Sequence, residues 1–273
     1  MLKDWFALDD QTLFAKAKEI SHGKKQILCS PNILTGECST RPICRHCKWE
    51  SFKISREQFG TEVDVARAVE RAKELQAAGI DRTFLASGWM GYRVPEWFYQ
   101  AVTAIKEQVP IEVYGLFGAL DQTCLKELKQ AGMDGYLCSL ESPNREIYRN
   151  FRPGGDSLDD RIEALYYARE IGLTLWSGFL CGLGETVEDM IYGLQILQEL
   201  EVESLSILPF KPYPNTPMAG ASPANPLSWA RAMAVARLAL PGADLFDDSD
   251  RGVYGEYSKL VEPNGRYTFP GKS

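Results

Sequence analysis

The stretch Thr174–Phe210, "TLWSGFLCGLGETVEDMIYGLQILQELEVESLSILPF", carries three patterns in succession. "TLWSGFLCGLG" is a short apolar run punctuated by glycine, which reads as a strand. "TVEDMIYGLQILQELE" has the length and apolar spacing of a helix, and "SLSILPFKPY", which continues past Phe210 to Tyr213, reads again as a strand. Strand, helix and strand, with both strands apolar along their length, make one parallel crossover unit buried on both faces.

The rhythm extends in both directions. Upstream lie helix "SLDDRIEALYYAREIG", strand "DGYLCSLES", helix "DQTCLKELKQAG", strand "IEVYGLFG" and helix "VPEWFYQAVTAIKEQ", with Pro95 in its first turn. Before these come strand "RTFLASG", helix "TEVDVARAVERAKELQAAG" ending on Gly79, strand "KQILCSPNIL", and an opening helix "DDQTLFAKAKEI" capped by Asp9 or Asp10. Downstream, "SWARAMAVARLAL" is a helix. Six strand-helix units specify an α/β fold with a parallel sheet covered by helices. Right-handed crossovers curl such a sheet into a (β/α) TIM-type barrel.

The tail from Pro241 to Ser273 is rich in Asp, Gly and Tyr and has room for one more strand around "ADLF", hardly for two full units. An incomplete or open barrel is therefore expected, completed by the tail or by a partner; a doubly wound open sheet is the alternative. No low-complexity linker divides the chain. Residues 1–273 form one domain, with an N-terminal helix in 1–25, the barrel core in 26–240 and the tail in 241–273.

Composition narrows the function classes. Of 273 residues 45% are hydrophobic, enough for a large core, yet no run of about 18 uncharged apolar residues marks a membrane span. The net charge of -7 and the lack of a basic stripe argue against nucleic acid as a partner. "MLKDWFALDD" has no apolar signal core, so a cytoplasmic location is expected. Cys29, Cys124, Cys138 and Cys181 each stand alone among apolar neighbours and read as packing residues.

The other three cysteines are different. "TGECSTRPICRHCKWES" (Thr35–Ser51) spaces Cys38, Cys44 and Cys47 by five residues and then two. The loop follows the first strand, so it lies at the carboxyl ends of the strands, where barrels and open sheets place their sites. A disulfide takes two thiols and a closed zinc site four ligands. Three thiolates can hold three irons of a [4Fe-4S] cluster and leave the fourth iron open. A zinc site completed by His46 or His22 is the competing reading. His46 lies too close in sequence to fold back easily onto the same ion, and His22 lies on the other side of the first strand.

This arrangement resembles the radical S-adenosylmethionine (SAM) superfamily, in which the open iron chelates SAM; the usual spacing there is three residues and then two. Three further stretches carry the resemblance. "FLASGWMG" ends the second strand at Ser87-Gly88, similar to the glycine-rich stretch that receives the SAM amino group, with Trp89 near the place of the usual glutamate. "GFLCGLGET" resembles the pattern Gly-x-Ile-x-Gly-x-x-Glu at Gly178, Leu180, Gly182 and Glu185; there the strand packs on adenine and the glutamate steadies the next loop. "LESPNREIYRNFRPGGDSLDDRIEAL" places Glu141 and Arg161 where the biotin synthase branch has a carboxylate and an arginine contacting SAM, with Ser139 at another polar position. A surface ion pair of Arg161 with Asp160 or Glu163 is the alternative there. His46 falls where an aromatic residue lies beside the adenine.

The branch marked by "SILPFKPYPNTPM" and "LALPGADL" contains biotin synthase and the HydE hydrogenase maturase. The cysteines that hold biotin synthase's second, [2Fe-2S] cluster correspond to Leu85, Tyr114 and Trp176, so sulfur insertion of that kind is not expected. The five-then-two spacing most resembles the HmdB family, associated with making the iron-guanylylpyridinol cofactor of [Fe]-hydrogenase. The resemblance implies a [4Fe-4S] cluster, SAM, a small-molecule substrate in a cofactor-building reaction, and an electron donor such as a ferredoxin or flavodoxin. Tyr114, Trp176, Phe210, Lys211 and Tyr213 are candidates to line the substrate cavity or simply to fill the barrel. A scaffold that carries the cluster without turnover is the remaining alternative.

Overall fold

The structure is a computed structural model, and it describes residues 1–34, 38–47, 64–247 and 252–268. Two helices open the chain, α1 (Leu2–Phe6) and α2 (Asp10–Ser21), the second capped by the Asp9 carboxylate, which accepts from Thr12 N at 3.0 Å. The barrel then runs β1 (Ile27–Leu34), α3 (Val65–Ala77), β2 (Arg82–Ala86), α4 (Glu96–Gln108), β3 (Glu112–Leu116), α5 (Gln122–Gln130) and β4 (Gly135–Leu137). Two helices follow β4, α6 (Arg145–Phe151) and α7 (Leu158–Glu170); then come β5 (Thr174–Cys181), α8 (Val187–Glu199), β6 (Ser204–Pro209) and α9 (Pro226–Ala239). The tail supplies β7 (Asp244–Asp247), α10 (Val253–Ser258) and β8 (Gly265–Tyr267).

All eight strands are parallel neighbours in chain order, and β8 pairs with β1. The TIM-type barrel anticipated from the strand-helix alternation is present, and the tail closes it. Where the pattern offered one tail strand, the tail holds two. A single buried side chain organises this closure. Asn264 accepts from Arg237 and from Leu245 N, and donates to Asp244 and to Lys25 O, tying α9, β7 and the start of β1 together. Arg237 is fully buried on α9, and burial pulls its pKa down to about 10.

Alternation along the strands sorts the side chains into two cores. The larger lies between strands and helices. The smaller fills the barrel interior with Ile27, Cys29, Phe84, Ala86, Tyr114, Leu137, Trp176 and Phe246, joined at the edge by Leu116 and Tyr267. Tyr114 and Trp176 are 1% and 0% exposed, so of the two roles open to them they take barrel filling. Leu85 belongs to the outer core, and the inward residues of β2 are Phe84 and Ala86. The register placing Leu85 inside is therefore corrected by one residue, because an unbroken apolar run gives no clue to which face is which. Neither inward residue is a cysteine, so the conclusion drawn from that register stands. Cys29, Cys124, Cys138 and Cys181 are all buried and unpaired, as packing residues should be.

Charged groups close the N-terminal end of the barrel. A cleft of about 360 Å³ there is lined by Lys25, Asp81, Arg82 and Glu112. Arg82 pairs with Glu112 at 2.7 Å and Asp244 at 3.0 Å, and Lys25 pairs with Asp81 at 2.8 Å. Mutual pairing at this end of a barrel marks structure, not chemistry. No described helix is long and apolar enough to cross a membrane.

Candidate active site

The site is assembled at the C-terminal end of the barrel. β1 carries a bulge between Pro31 and Ile33, a device that re-aims the strand end, and the cysteine loop follows it. Three other segments hold residues 38–47 through their main chain. Ser39 N donates to Trp89 O at 2.7 Å, Arg45 N to Phe151 O at 2.9 Å, and Met218 N to Arg45 O at 3.2 Å. Gly154 and Gly155 lie flat against the loop, and a methyl group on Gly154 would sit 2.5 Å from the Arg41 carbonyl. The loop is thus seated on backbone, where glycine permits the approach.

Cys44 is buried, while Cys38 and Cys47 are half-buried. Burial pushes the Cys44 thiol up to about 12; the Arg152 guanidinium opposes this, and the nearby charges of Cys47, Glu141 and Cys38 add to it. Cys44 therefore lies close to both Cys38 and Cys47. Among the described residues, however, no three His, Cys, Asp or Glu side chains converge on a point where one metal ion would sit. His22 ends α2, before the first strand, and His46 stacks face to face on Phe151, ring centroids 3.6 Å apart and 7° from parallel. Burial lowers the His46 pKa to about 4, so the ring is neutral, and its Nδ1 is buried with no partner among the described residues.

Beside this loop lies a buried ionic group that the sequence pattern only partly indicated. Arg161, on the inner face of α7, donates to Ser139 O at 2.6 Å and Glu141 Oε1 at 3.1 Å, and its Nε lies 2.8 Å from Asp156. Arg152 pairs with Asp156 at 2.5 Å and lies 3.8 Å from Glu141. Ala119 N donates to the other Asp156 oxygen at 2.8 Å. Burial alone would raise the Asp156 pKa, but Arg161, Arg152 and the Ala119 N–H outweigh it and hold the carboxyl below its ordinary range. Arg161 makes no surface pair with Asp160 or Glu163; that alternative is set aside. Its polar contacts run to Asp156, Glu141 and the Ser139 carbonyl.

The remaining candidates divide into two groups. Ser139, Glu141 and Leu180 come together with Arg161: Glu141 N donates to Ser139 Oγ at 3.0 Å, and Leu180 N to Glu141 O at 2.8 Å. Glu141 adopts φ +57°, a conformation that costs an L-residue about 1 kcal/mol or more and is held here by these bonds. Ser87 and Gly88 follow the end of β2, the strand that pairs with β1; Ser87 Oγ donates to Gly88 O at 2.7 Å, and Trp89 turns its indole to Ala119 O. Glu185 accepts from Gly182 N at 2.7 Å and Leu183 N at 2.8 Å, steadying the loop after β5. Lys211 lies over the Tyr254 ring at 5.0 Å, and Phe210 packs edge-on against Phe151 as part of the core between strands and helices. Asp156, Arg152, Phe151 and Gly154 were missed by the sequence reading. The one signal for them was "FRPGGD", an acid preceded by two glycines and four residues after an arginine.

Comparison with known proteins settles the family. The sequence pattern of the radical SAM superfamily matches residues 32–193. An uncharacterized protein of Methanocaldococcus jannaschii is 30% identical over 233 residues, spanning 80% of this chain and 58% of that protein. Biotin synthase of Acinetobacter baumannii is 29% identical over 234 residues, spanning 81% of this chain and 70% of the enzyme. The chain belongs to the radical SAM superfamily. The biotin synthase branch expected for it is borne out. Superfamily members are enzymes that use a [4Fe-4S] cluster and SAM. The barrel superposes on methylornithine synthase (PylB) with TM-score 0.83 at 22% identity, covering 100% of this chain and 82% of that one. It superposes on the maturase HydG of Carboxydothermus hydrogenoformans with TM-score 0.80 at 21% identity, covering 97% and 65%. Both are likenesses of fold.

The residues present suit these cofactors. Besides Cys44 with Cys38 and Cys47 close by, the loop holds two buried polar atoms with no partner among the described residues, Thr40 Oγ1 and His46 Nδ1. Both lie in the segment to which a cluster and its ligand would attach.

Proposed function

We propose that this chain cleaves SAM reductively and uses the resulting 5'-deoxyadenosyl radical on a small-molecule precursor in cofactor biosynthesis. In this reading Cys38, Cys44 and Cys47 hold three irons. The cluster, when bound, supplies the electron that splits the sulfonium. Ser87 and Gly88 offer backbone to the amino acid end of SAM, and Ser139 and Glu141 offer polar groups beside it. Leu180 gives an apolar contact for adenine and His46 a flat neutral ring. Arg161 holds Glu141 and Ser139 in place. The filled barrel interior forms the floor of the chamber and keeps water from a carbon radical that would attack almost any C–H bond.

The observation that carries the reading is the cysteine loop itself, seated at the mouth of a closed barrel beside Glu141 and Leu180. For the substrate, the five-then-two spacing supports a pyridinol precursor of the iron-guanylylpyridinol cofactor of [Fe]-hydrogenase. Another biotin synthase-like reaction on an unrelated small molecule is the second reading. Anaerobic reconstitution should give a brown protein that dithionite bleaches and that forms 5'-deoxyadenosine from SAM. Deuterium passing from a labelled pyridinol into 5'-deoxyadenosine would identify the substrate. A colourless zinc protein, or Cys44→Ala retaining full cleavage, would overturn the cluster assignment.

A further inference from the structure

Two members of the buried ionic group, Arg152 and Asp156, have no task in the proposed function. Arg152 closes α6, its N–H bonded to Tyr148 O at 2.7 Å, and it follows Phe151 directly. The cysteine loop rests on Phe151, whose carbonyl accepts from Arg45 N at 2.9 Å and whose ring carries His46. Arg152 is thereby fixed beside the segment from Cys44 to Cys47. Its side chain is 9% exposed, and its Nε is buried with no partner among the described residues. Asp156 holds the guanidinium at 2.5 Å over the Tyr148 ring, and Tyr148 in turn donates to Asp156 O at 3.1 Å.

The four charges of the group, two arginines and two carboxylates, sum to zero, so their order decides what the loop feels. After burial itself, Arg152 is the leading influence on the Cys44 thiol, ahead of Cys47, Glu141 and Cys38; neither Asp156 nor Arg161 is among the main influences there. The cation therefore stands on the loop side of the group and Asp156 behind it. Arg41 and Arg45 are exposed, where water and salt screen them, whereas Arg152 acts through protein. An ion pair kept for stability alone makes no demand that the cation face the cysteines and the acid face away.

We infer that Arg152 raises the reduction potential of the cluster held at Cys44, by stabilising the negative charge that one-electron reduction adds there. The inference rests on the proposed function. A one-electron donor is oxidised by one as the cluster is reduced by one, and no bond or proton moves. Arg152 acts through Cys44, as a positioning residue.

The test is the midpoint potential of the reconstituted full chain without SAM, read by electron paramagnetic resonance in a redox titration at fixed pH. A unit charge acting at short range through protein is worth roughly tenfold in an equilibrium constant. Arg152→Met should therefore weaken reduction about tenfold, a shift of about 59 mV to lower potential for one electron. Arg152→Lys, which keeps the charge, should stay within about twofold of wild type. Asp156→Asn, which removes the counter-charge, should move the potential upward. Lys126→Met, the same charge loss on the exposed side of α5, should leave it unchanged. A site merely loosened by substitution would admit water, which favours the more highly charged reduced state and raises the potential. The downward sign in Arg152→Met is thus specific to the lost charge.

An unchanged or raised potential in Arg152→Met, or equal shifts in Arg152→Met and Arg152→Lys, would overturn the inference. If Arg152→Met takes up no iron, Arg152→Lys decides: loading restored by lysine supports the charge role, and loss in both assigns Arg152 to packing and overturns it. A wild-type chain that holds no [4Fe-4S] cluster would instead strike the proposed function, and this inference with it.

Discussion

Gly154→Ala isolates the seating of the cysteine loop. The added methyl carbon would stand 2.5 Å from both the carbonyl carbon and oxygen of Arg41 and 2.6 Å from Pro42 O. Carbon atoms in contact sit about 3.5 Å apart, so one backbone must retreat by roughly 1 Å. No flexible side chain can absorb the move, because the obstructing atoms are main chain. Gly154 is not among the residues with positive φ, so alanine suits its backbone and the effect is purely steric. Overpacking of this kind costs about 1–3 kcal/mol. The obstructed residue, Arg41, lies midway between Cys38 and Cys44, so a shift there moves the cysteines on either side of it. Misplacement by about 1 Å near reacting groups is worth on the order of a hundredfold in rate. Iron and sulfide per chain after anaerobic reconstitution, the spectrum of the reduced cluster and the rate of SAM cleavage should all fall. Gly242→Ala, with open space around it and ordinary φ, serves as the control. Full iron loading and an unchanged rate in Gly154→Ala would refute the reasoning.

Two further substitutions probe the support beneath the site. Asp156→Asn leaves Arg152 and Arg161 buried without their carboxylate and should destabilise the fold by about 3–5 kcal/mol in urea titrations. Because the Asp156 pKa is depressed below 3.8, its contribution is complete above about pH 4 and is lost as pH falls through the folded value; the gap to wild type should narrow only in acid. A gap that is absent, or the same at pH 3 and pH 7, would contradict this. Trp176→Ala removes a fully buried indole that donates to Ser206 Oγ at 2.8 Å and should cost about 3–5 kcal/mol. A loss under about 1 kcal/mol would show that the barrel interior is not packed as described.

The sequence disclosed the elements whose signals are long and local. Every core strand and long helix from β1 to α9 lies where the apolar runs and helical spacing put it, and the cysteine loop stands at the mouth. The losses have physical causes. β8 is three residues, Gly265–Tyr267, too short to show a pattern, and it exists because Asn264 and its neighbours tie it in. α6 is a two-turn helix set by the Asn144 cap, which accepts from Glu146 N and Ile147 N, and such a cap resembles any turn in sequence. The facing of Leu85 was illegible because "RTFLA" lacks alternation. Asp156 was invisible because its meaning comes from two arginines that reach it only after α6 and α7 have packed.

The pairing of β8 with β1 has a consequence for how the protein comes to hold metal. The strand that launches the cysteine loop has a neighbour on only one side until Gly265–Tyr267 arrive, and Thr268 N then bonds to Cys29 O at 2.8 Å. In a chain growing from its amino end, the thiols emerge early but their platform is finished last, so loading with iron and sulfide should follow completion of the ring instead of nucleating it. Chains cut before Asn264 should therefore take up little iron even with all three thiols intact, which a reconstitution series on stepwise truncations can measure.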